Sequence, residues 1–330
     1  MKRLTTCLAV LSLAFVLGVA GQAFAAKVTI KGGGIQPPED AASLAMERWS
    51  KLVAERTNGD VTIQFFPASQ LGDATSMIEA VSMGSQDFFF DAGSFMGTFM
   101  PDKNVESVFF LFKDAAHYQR YLDSDIMKDF EGRFEKQQGI KVVAQNYPRQ
   151  PRSTLATKPI RGLADYAGLK IRVPDIRGYK EGLIGLGAGP VQIAWGEVYL
   201  ALRQGVVTAC EAPLDMAYTM KFFEPAPYLT MTEHIRDNMA IMMNAKKFNS
   251  LTKEQQDILT TTAREVGDWY RDFSDEVVQK YIKEMKAAGV EFIQIDTAPL
   301  REAVLKRVRE LEAPANRPWP QGLYERIGNL

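Results

Sequence analysis

Residues Thr252–Gly289 read TKEQQDILTTTAREVGDWYRDFSDEVVQKYIKEMKAAG, a stretch without proline. Thr252 followed three positions later by Gln255 forms a capping box, in which each side chain satisfies the other residue's free backbone N–H at a helix start. Gly289 supplies the stop, because glycine adopts left-handed backbone without penalty. Between them Ile258, Leu259, Val266, Tyr270, Phe273, Val277, Tyr281 and Met285 recur at helical spacing. About thirty-six residues at 1.5 Å rise give about 54 Å, well beyond the ~30 Å breadth of a small domain. Sustained a/d heptads are missing, so a helix laid across two lobes fits better than a coiled coil.

Outward from that helix, the chain alternates strand and helix signals. Lys27–Lys31 and Asp60–Phe66 alternate apolar and polar residues as strands do, with a helical pattern over Ala41–Arg56 between them. Ser76–Met83 reads as a short helix and Gln86–Phe90 as a strand. In the Phe88-Phe89-Phe90 run, one or two rings are expected in the core. After Gly139 the pattern resumes, with strands at Ile140–Gln145 and Leu169–Val173, helices at Arg177–Leu186 and Glu197–Gln204, and an apolar strand at Met239–Asn244. This order predicts an α/β fold. The 330 residues are about twice a typical single-domain length, which predicts two domains. Pro314–Pro320 reads as a loose C-terminal tail.

Composition excludes several classes of function. Hydrophobic residues make up 46% and charged residues 24% of the chain, unlike a disordered, collagenous or multi-span membrane protein. Thirty-nine basic against forty acidic residues leave no positive field for nucleic acid or anionic lipid. Lys2 and Arg3, the apolar run Leu8–Val19 and small residues ending Ala23-Phe24-Ala25 read as a secretory signal peptide over residues 1–25. That run is too short to span a bilayer, so the mature chain is expected in the periplasm without direct membrane insertion. Cleavage takes the net charge from -1 to about -3 and leaves one thiol, Cys210, a small core residue.

No enzyme signature survives inspection. Gly185-Leu186-Gly187-Ala188-Gly189 resembles a dinucleotide loop but follows a helix instead of a strand, so it reads as a helix stop and turn. His117 and His234, the only histidines, lack partners at metal-ligand spacing and read as surface or capping residues. Ser94 lacks the nucleophile-elbow pattern. No cofactor or metal is expected.

One region concentrates unusual elements: Arg149 and Arg152 around a proline, Lys158-Pro159-Ile160, and Gly168-Leu169-Lys170-Ile171-Arg172-Val173-Pro174. Gly196-Glu197-Val198-Tyr199, Ala201-Leu202-Arg203-Gln204-Gly205-Val206-Val207 and Glu211-Ala212-Pro213 follow. With Ser69-Gln70-Leu71-Gly72, Glu79-Ala80-Val81, Gly84 and Asp87 upstream, this resembles the DctP-type substrate-binding proteins of TRAP transporters, the tripartite ATP-independent periplasmic systems. The resemblance implies a periplasmic-binding-protein-like fold. Lobe I would take residues 26–149 and 238–278, and lobe II residues 150–237 and 279–330. It also implies a small carboxylate ligand between the lobes, delivery to TRAP membrane subunits, and no catalysis. A ligand subunit for a sensor kinase, the binding part of an ATP-driven importer and a periplasmic enzyme on small acids are the rival readings.

The resemblance assigns the ligand's carboxylate to Arg172, with Arg152 as second donor and Trp195 stacking on the ligand. A planar guanidinium offers a carboxylate two parallel N–H donors. Glu211 is counted among the binding positions, and with Asp215 it is the candidate internal counter-charge for Arg172. The first lobe is expected to contribute Gly34, Ile35, Gln36, Ala74, Asp91, Ala92 and Gly93, from turns at the carboxyl ends of strands. Where many relatives carry an asparagine, this chain has Ala212. With Ile35 and Ala92 also apolar, the expected ligand is a monocarboxylate with a bulky aromatic or apolar body, such as an indole or aryl 2-oxo, acetic or amino acid.

Overall fold

A computed structural model of the chain describes residues 27–313 and 317–330. The expected signal peptide lies outside the described residues. The first half winds β1 (Val28–Gly33), α1 (Ala41–Arg56), β2 (Val61–Phe66), α2 (Ala74–Met83) and β3 (Phe88–Ala92), then α3 (Ala115–Asp123), α4 (Asp125–Gln138) and β4 (Ile140–Pro148). The chain then crosses to a second sheet through β5 (Arg152–Ala156), β6 (Lys170–Val173), α5 (Arg177–Gly185), β7 (Gly189–Gln192), α6 (Val198–Arg203), β8 (Ala209–Pro213), α7 (Leu214–Thr219) and β9 (Tyr228–Ile235). It returns with β10 (Asn238–Asn244) and α8 (Ala245–Asn249), enters the long helix α9 (Lys253–Ala287), and closes with β11 (Glu291–Ile293), α10 (Ala298–Leu311) and α11 (Leu323–Gly328).

Two mixed sheets result, ordered β2-β1-β3-β10-β4 and β11-β9-β5-β8-β6-β7. In the first, β1 runs parallel to β2 and β3, and β10 antiparallel to β3 and β4. In the second, β6 runs parallel to β7 and β8, and β5 antiparallel to β8 and β9. Gly32 is required where β1 meets β3: a Cβ there would lie 2.2 Å from the Phe88 carbonyl oxygen. All three phenylalanines of β3 are buried, because both faces of that strand are covered. Phe88 and Phe90 pack on the side of Trp49, and Phe89 packs on the side of Phe95. β5 (RSTLA) and β8 (ACEAP) are likewise buried at every residue, so neither shows the alternation that marks a half-exposed strand.

The predicted long helix forms over 35 residues with both halves of its capping box in place. Its first half is held to α1 and to the first sheet: Trp49 Nε1 of α1 donates to the Leu259 carbonyl at 3.2 Å, and Tyr147 Oη of β4 to that of Ala263 at 2.6 Å. Its second half meets α7, where Tyr281 stacks on Tyr218 at 4.1 Å between ring centroids and Glu284 accepts from the Tyr218 hydroxyl. The buried stripe is more polar than expected, with Thr262 and Ser274 inside and Val278 taking the place of Val277.

Several local expectations are corrected. His117 is buried: Nδ1 accepts from the Lys113 N–H at 3.2 Å, which makes Nε2 the donor to the Ile327 carbonyl at 2.8 Å. The described part of the C-terminal tail is anchored. Trp319 is buried and donates to Glu312 at 3.2 Å, and α11 packs against the 3-10 segment Pro101–Ser107 of the first half. Gly185–Gly189 is a helix stop as expected: α5 ends at Gly185, Gly187 has φ +83°, and β7 starts at Gly189. Cys210 is a buried free thiol.

The contact between the N-terminus of α1 and α7 holds two buried carboxylates. Asp40 caps α1 by accepting from Ala42 N at 2.9 Å and takes the Thr219 hydroxyl of α7 at 2.8 Å. Asp215 accepts from Met216 N at 2.9 Å and from Ser274 of α9 at 3.5 Å. Burial, and then the like charge of Asp215, push Asp40 up to about 7; its helix-cap bond, Thr219 and Arg149 pull the other way. The folded pKa lies above the unfolded one. The stabilising contribution is therefore complete below about pH 4 and is lost as pH rises through about 7. Asp40→Asn keeps the cap and removes the proton. Compared with the wild type by urea unfolding, it should flatten the fall in stability between pH 5 and 8 by about 1–3 kcal/mol. Identical pH slopes in the two proteins would contradict this.

Candidate ligand-binding site

Between the two sheets lies a cleft of about 510 Å³. Arg172 enters it from β6, whose two neighbours, β7 and β8, bury its backbone. The side chain is 3% exposed, its Nε donates to the Ile193 carbonyl at 2.8 Å, and its guanidinium lies 5.3 Å from the Trp195 ring centroid. Among the described residues no carboxylate comes within ion-pair distance of it. Burial lowers its pKa to about 10, which still leaves it charged at neutral pH. A buried charge with no counter-charge is costly, which leaves this cation able to take an anion.

Arg152 also lines the cleft, but its charge is spent inside the protein. Its Nη2 donates to Glu211 Oε1 at 2.8 Å and to the Glu211 carbonyl at 2.9 Å, while Nε meets Oε2. Glu211 thus partners Arg152 and not Arg172. Burial pulls the Glu211 carboxyl upward, yet the Arg152 guanidinium and the His234 ring outweigh it and hold the pKa at about 2. His234 was expected as a surface or capping residue and is buried: Nε2 lies 3.7 Å from Glu211 Oε2, Nδ1 lies 2.7 Å from the Thr232 hydroxyl, and Phe109 packs against the ring at 4.2 Å. Arg149 is neutralised in the same way. It lines the cleft and pairs with Asp237 at 3.1 Å, and Asp237 also accepts from the Tyr179 hydroxyl at 3.0 Å.

Of the other sequence-derived candidates, Trp195, Ile35, Ala74, Asp91 and Ala92 line the cleft. Trp195 also packs edge-on against Phe222 at 4.9 Å. Gly34, Gln36, Gly93, Glu211 and Ala212 do not line it. Gly34 is a close-packing position, since a Cβ there would lie 3.0 Å from the Phe90 carbonyl oxygen. Gln36 is buried behind Asp91 and donates to it at 3.3 Å. A Cβ at Gly93 would sit 3.2 Å from Asn238 Oδ1. Ala212 is wholly buried in β8. Ser69, Thr75, Tyr179, Gln192 and Glu197 line the cleft and were missed. Gln192 was findable: it ends a strand parallel to β6, and ligands gather at the carboxyl ends of such strands. Among the described residues no group of three or more His, Cys, Asp or Glu could hold a metal ion, and no helix is long and apolar enough to cross a membrane.

Residues 33–314 match the model of a family described as bacterial extracellular solute-binding protein, family 7, of DctP type. The chain belongs to this family. A relative from Escherichia coli K12, the 2,3-diketo-L-gulonate-binding periplasmic protein YiaO, is 32% identical over 82% of this chain and 83% of its own. A TRAP periplasmic solute-binding protein from Ochrobacterium anthropi, solved with bound L-fuconate, is 30% identical with a TM-score of 0.85, covering 92% of this chain and 99% of that one. One from Desulfovibrio salexigens with bound orotic acid is 29% identical with a TM-score of 0.83, covering 91% and 98%. The family 7 fold, two α/β lobes joined by a long helix, is that of transporter substrate-binding proteins and not of enzymes.

The charge arrangement separates two arginines in a ligand-free unfolding experiment. Removing Glu211, as in Glu211→Ala, strands a buried guanidinium and should cost about 3–5 kcal/mol. Removing the unpaired cation, as in Arg172→Ala, should leave stability unchanged or higher. A loss of several kcal/mol in Arg172→Ala would mean that the fold itself neutralises this residue.

Proposed function

We propose that this chain is the extracytoplasmic solute-binding subunit of a TRAP-type transporter. It would capture an organic monocarboxylate between its lobes and present it to the membrane permease. The observation that carries this reading is that Arg172 is buried and charged, faces the cleft, and has no carboxylate within ion-pair distance among the described residues. Family membership supports the transport role, and the basic, apolar and small-residue order of residues 1–25 supports export to the periplasm through a cleaved leader.

Lobe I takes residues 26–149 and 238–278 in this reading, and lobe II takes residues 150–237 and 279–313. Residues 317–330 belong with lobe I, on which α11 packs. Closure bends the two crossings between the sheets, which are tied by the Arg149 N–H to the Asp237 carbonyl at 3.1 Å, and the middle of α9.

The ligand class follows from the lining. The expectation of a bulky aromatic or apolar body leaned on Ala212, Ile35 and Ala92; Ile35 and Ala92 line the cleft, but Ala212 does not reach it. Ser69, Thr75, Asp91 and Gln192 give the walls polar partners that an apolar body would leave unsatisfied. A hydroxylated carboxylate of sugar-acid size satisfies them, in keeping with the diketogulonate and fuconate named for relatives. Calorimetry with D-galacturonate, L-fuconate and indole-3-acetate tests both parts. The hydroxylated acids should bind tighter than the aromatic one, and Arg172→Ala should weaken them by about 2–4 kcal/mol. Tighter binding of indole-3-acetate would overturn the ligand class, and full affinity in Arg172→Ala would remove this residue from the site.

A further inference from the structure

Seven acidic or basic side chains line the cleft: Asp73, Asp91, Arg149, Arg152, Arg172, Asp175 and Glu197. Asp73, Asp175 and Glu197 are exposed, so water screens them. Arg149 and Arg152 are neutralised by Asp237 and Glu211. Two buried charges remain, Arg172 from the second lobe and Asp91 from the first. They do not pair with each other, and among the described residues no basic side chain lies within ion-pair distance of Asp91. Asp91 ends β3, is 1% exposed, takes the Ala92 N–H on Oδ1 at 2.6 Å and takes Gln36 Nε2 on Oδ2 at 3.3 Å. Each carboxylate oxygen therefore keeps a free lone pair beside the cleft. Burial pushes its pKa up, and Arg149 only partly offsets this.

We propose that Asp91, braced by Gln36, is a specificity-determining residue that accepts a hydrogen bond from a donor on the ligand and repels a second anionic group at that end. This rests on the Arg172 reading and narrows it. The ligand carries one carboxylate for Arg172 and a donating, non-anionic group for Asp91. Hydroxy- and amino-monocarboxylates fit. Dicarboxylates and phosphate esters of similar size place a second negative charge against a buried carboxylate and are rejected, because specificity needs a repulsive element as well as an attractive one.

The test uses the whole mature protein, calorimetry, and three probes: D-galacturonate, its dicarboxylate counterpart galactarate, and 2-amino-2-deoxy-D-gluconate. The wild type should prefer galacturonate to galactarate by 100-fold or more. Asp91→Asn, which keeps the shape and removes the charge, should lose at least tenfold in galacturonate affinity and shrink that preference at least tenfold. Its ligand-free thermal midpoint should be unchanged or higher. Tighter binding of the amino acid than of galacturonate, lost in Asp91→Asn, would identify the donor as an ammonium; the reverse order would identify a hydroxyl. An unchanged preference in Asp91→Asn, a collapsed fold in that variant, a wild type that favours galactarate, or one that binds neither monocarboxylate would overturn the proposal. Arg172→Ala separates the two claims. If it abolishes binding while Asp91→Asn changes nothing, only the role of Asp91 falls; if it binds normally, the reading beneath falls too.

Discussion

The pairing of Arg152 with Glu211 decides what the cleft can do. Both groups are buried, joined through two guanidinium nitrogens, and backed by His234. That pair consumes the only carboxylate β8 brings to this level of the second sheet, so Arg172 on the neighbouring strand has none. Arg149 is neutralised separately by Asp237. Three arginines thus face one cleft with one free positive charge between them, which suits a monoanion better than a multiply charged guest. Neutralised arginines still offer N–H groups and rigid planes, so they can shape and orient without adding charge.

The same polar groups tie the two lobes together. Arg149 and Asp237 sit on the two strand crossings and bond to each other through backbone and side chain. Asp40 and Thr219 join α1 to α7 on the other side, and α9 runs along both lobes. Apolar packing also crosses between the halves: each of the two buried apolar clusters holds residues of both sheets, and Phe109 packs on His234 of β9.

What could be read in the sequence divides along physical lines. The long helix was legible because its capping box, period and glycine stop are all local signals. β1 and β2 were legible because one face of each is wet and the pattern alternates. β5 and β8 were not: covered on both faces they show no alternation, and with Arg152, Ser153, Thr154 and Glu211 inside they lack the continuous apolar run that marked the equally buried β10. The two arginines stood out by resemblance, but which one Glu211 neutralises depends on strand order and register, with Thr154 opposite Glu211, and no spacing rule encodes that. Ala212 failed as a cleft residue for a related reason: a five-residue strand buried throughout gives no hint of which side chains face a cavity. The anchored C-terminus was missed because the groups that hold α11, among them His117, lie about two hundred residues away.

The account turns on what neutralises Arg172. A crystal structure of the protein with its captured ligand, identified by mass spectrometry of the released molecule, measures this directly. The account predicts a ligand carboxylate within about 3 Å of the Arg172 terminal nitrogens, with Glu211 still on Arg152. A structure in which a protein carboxylate neutralises Arg172 and the ligand lies elsewhere would contradict it.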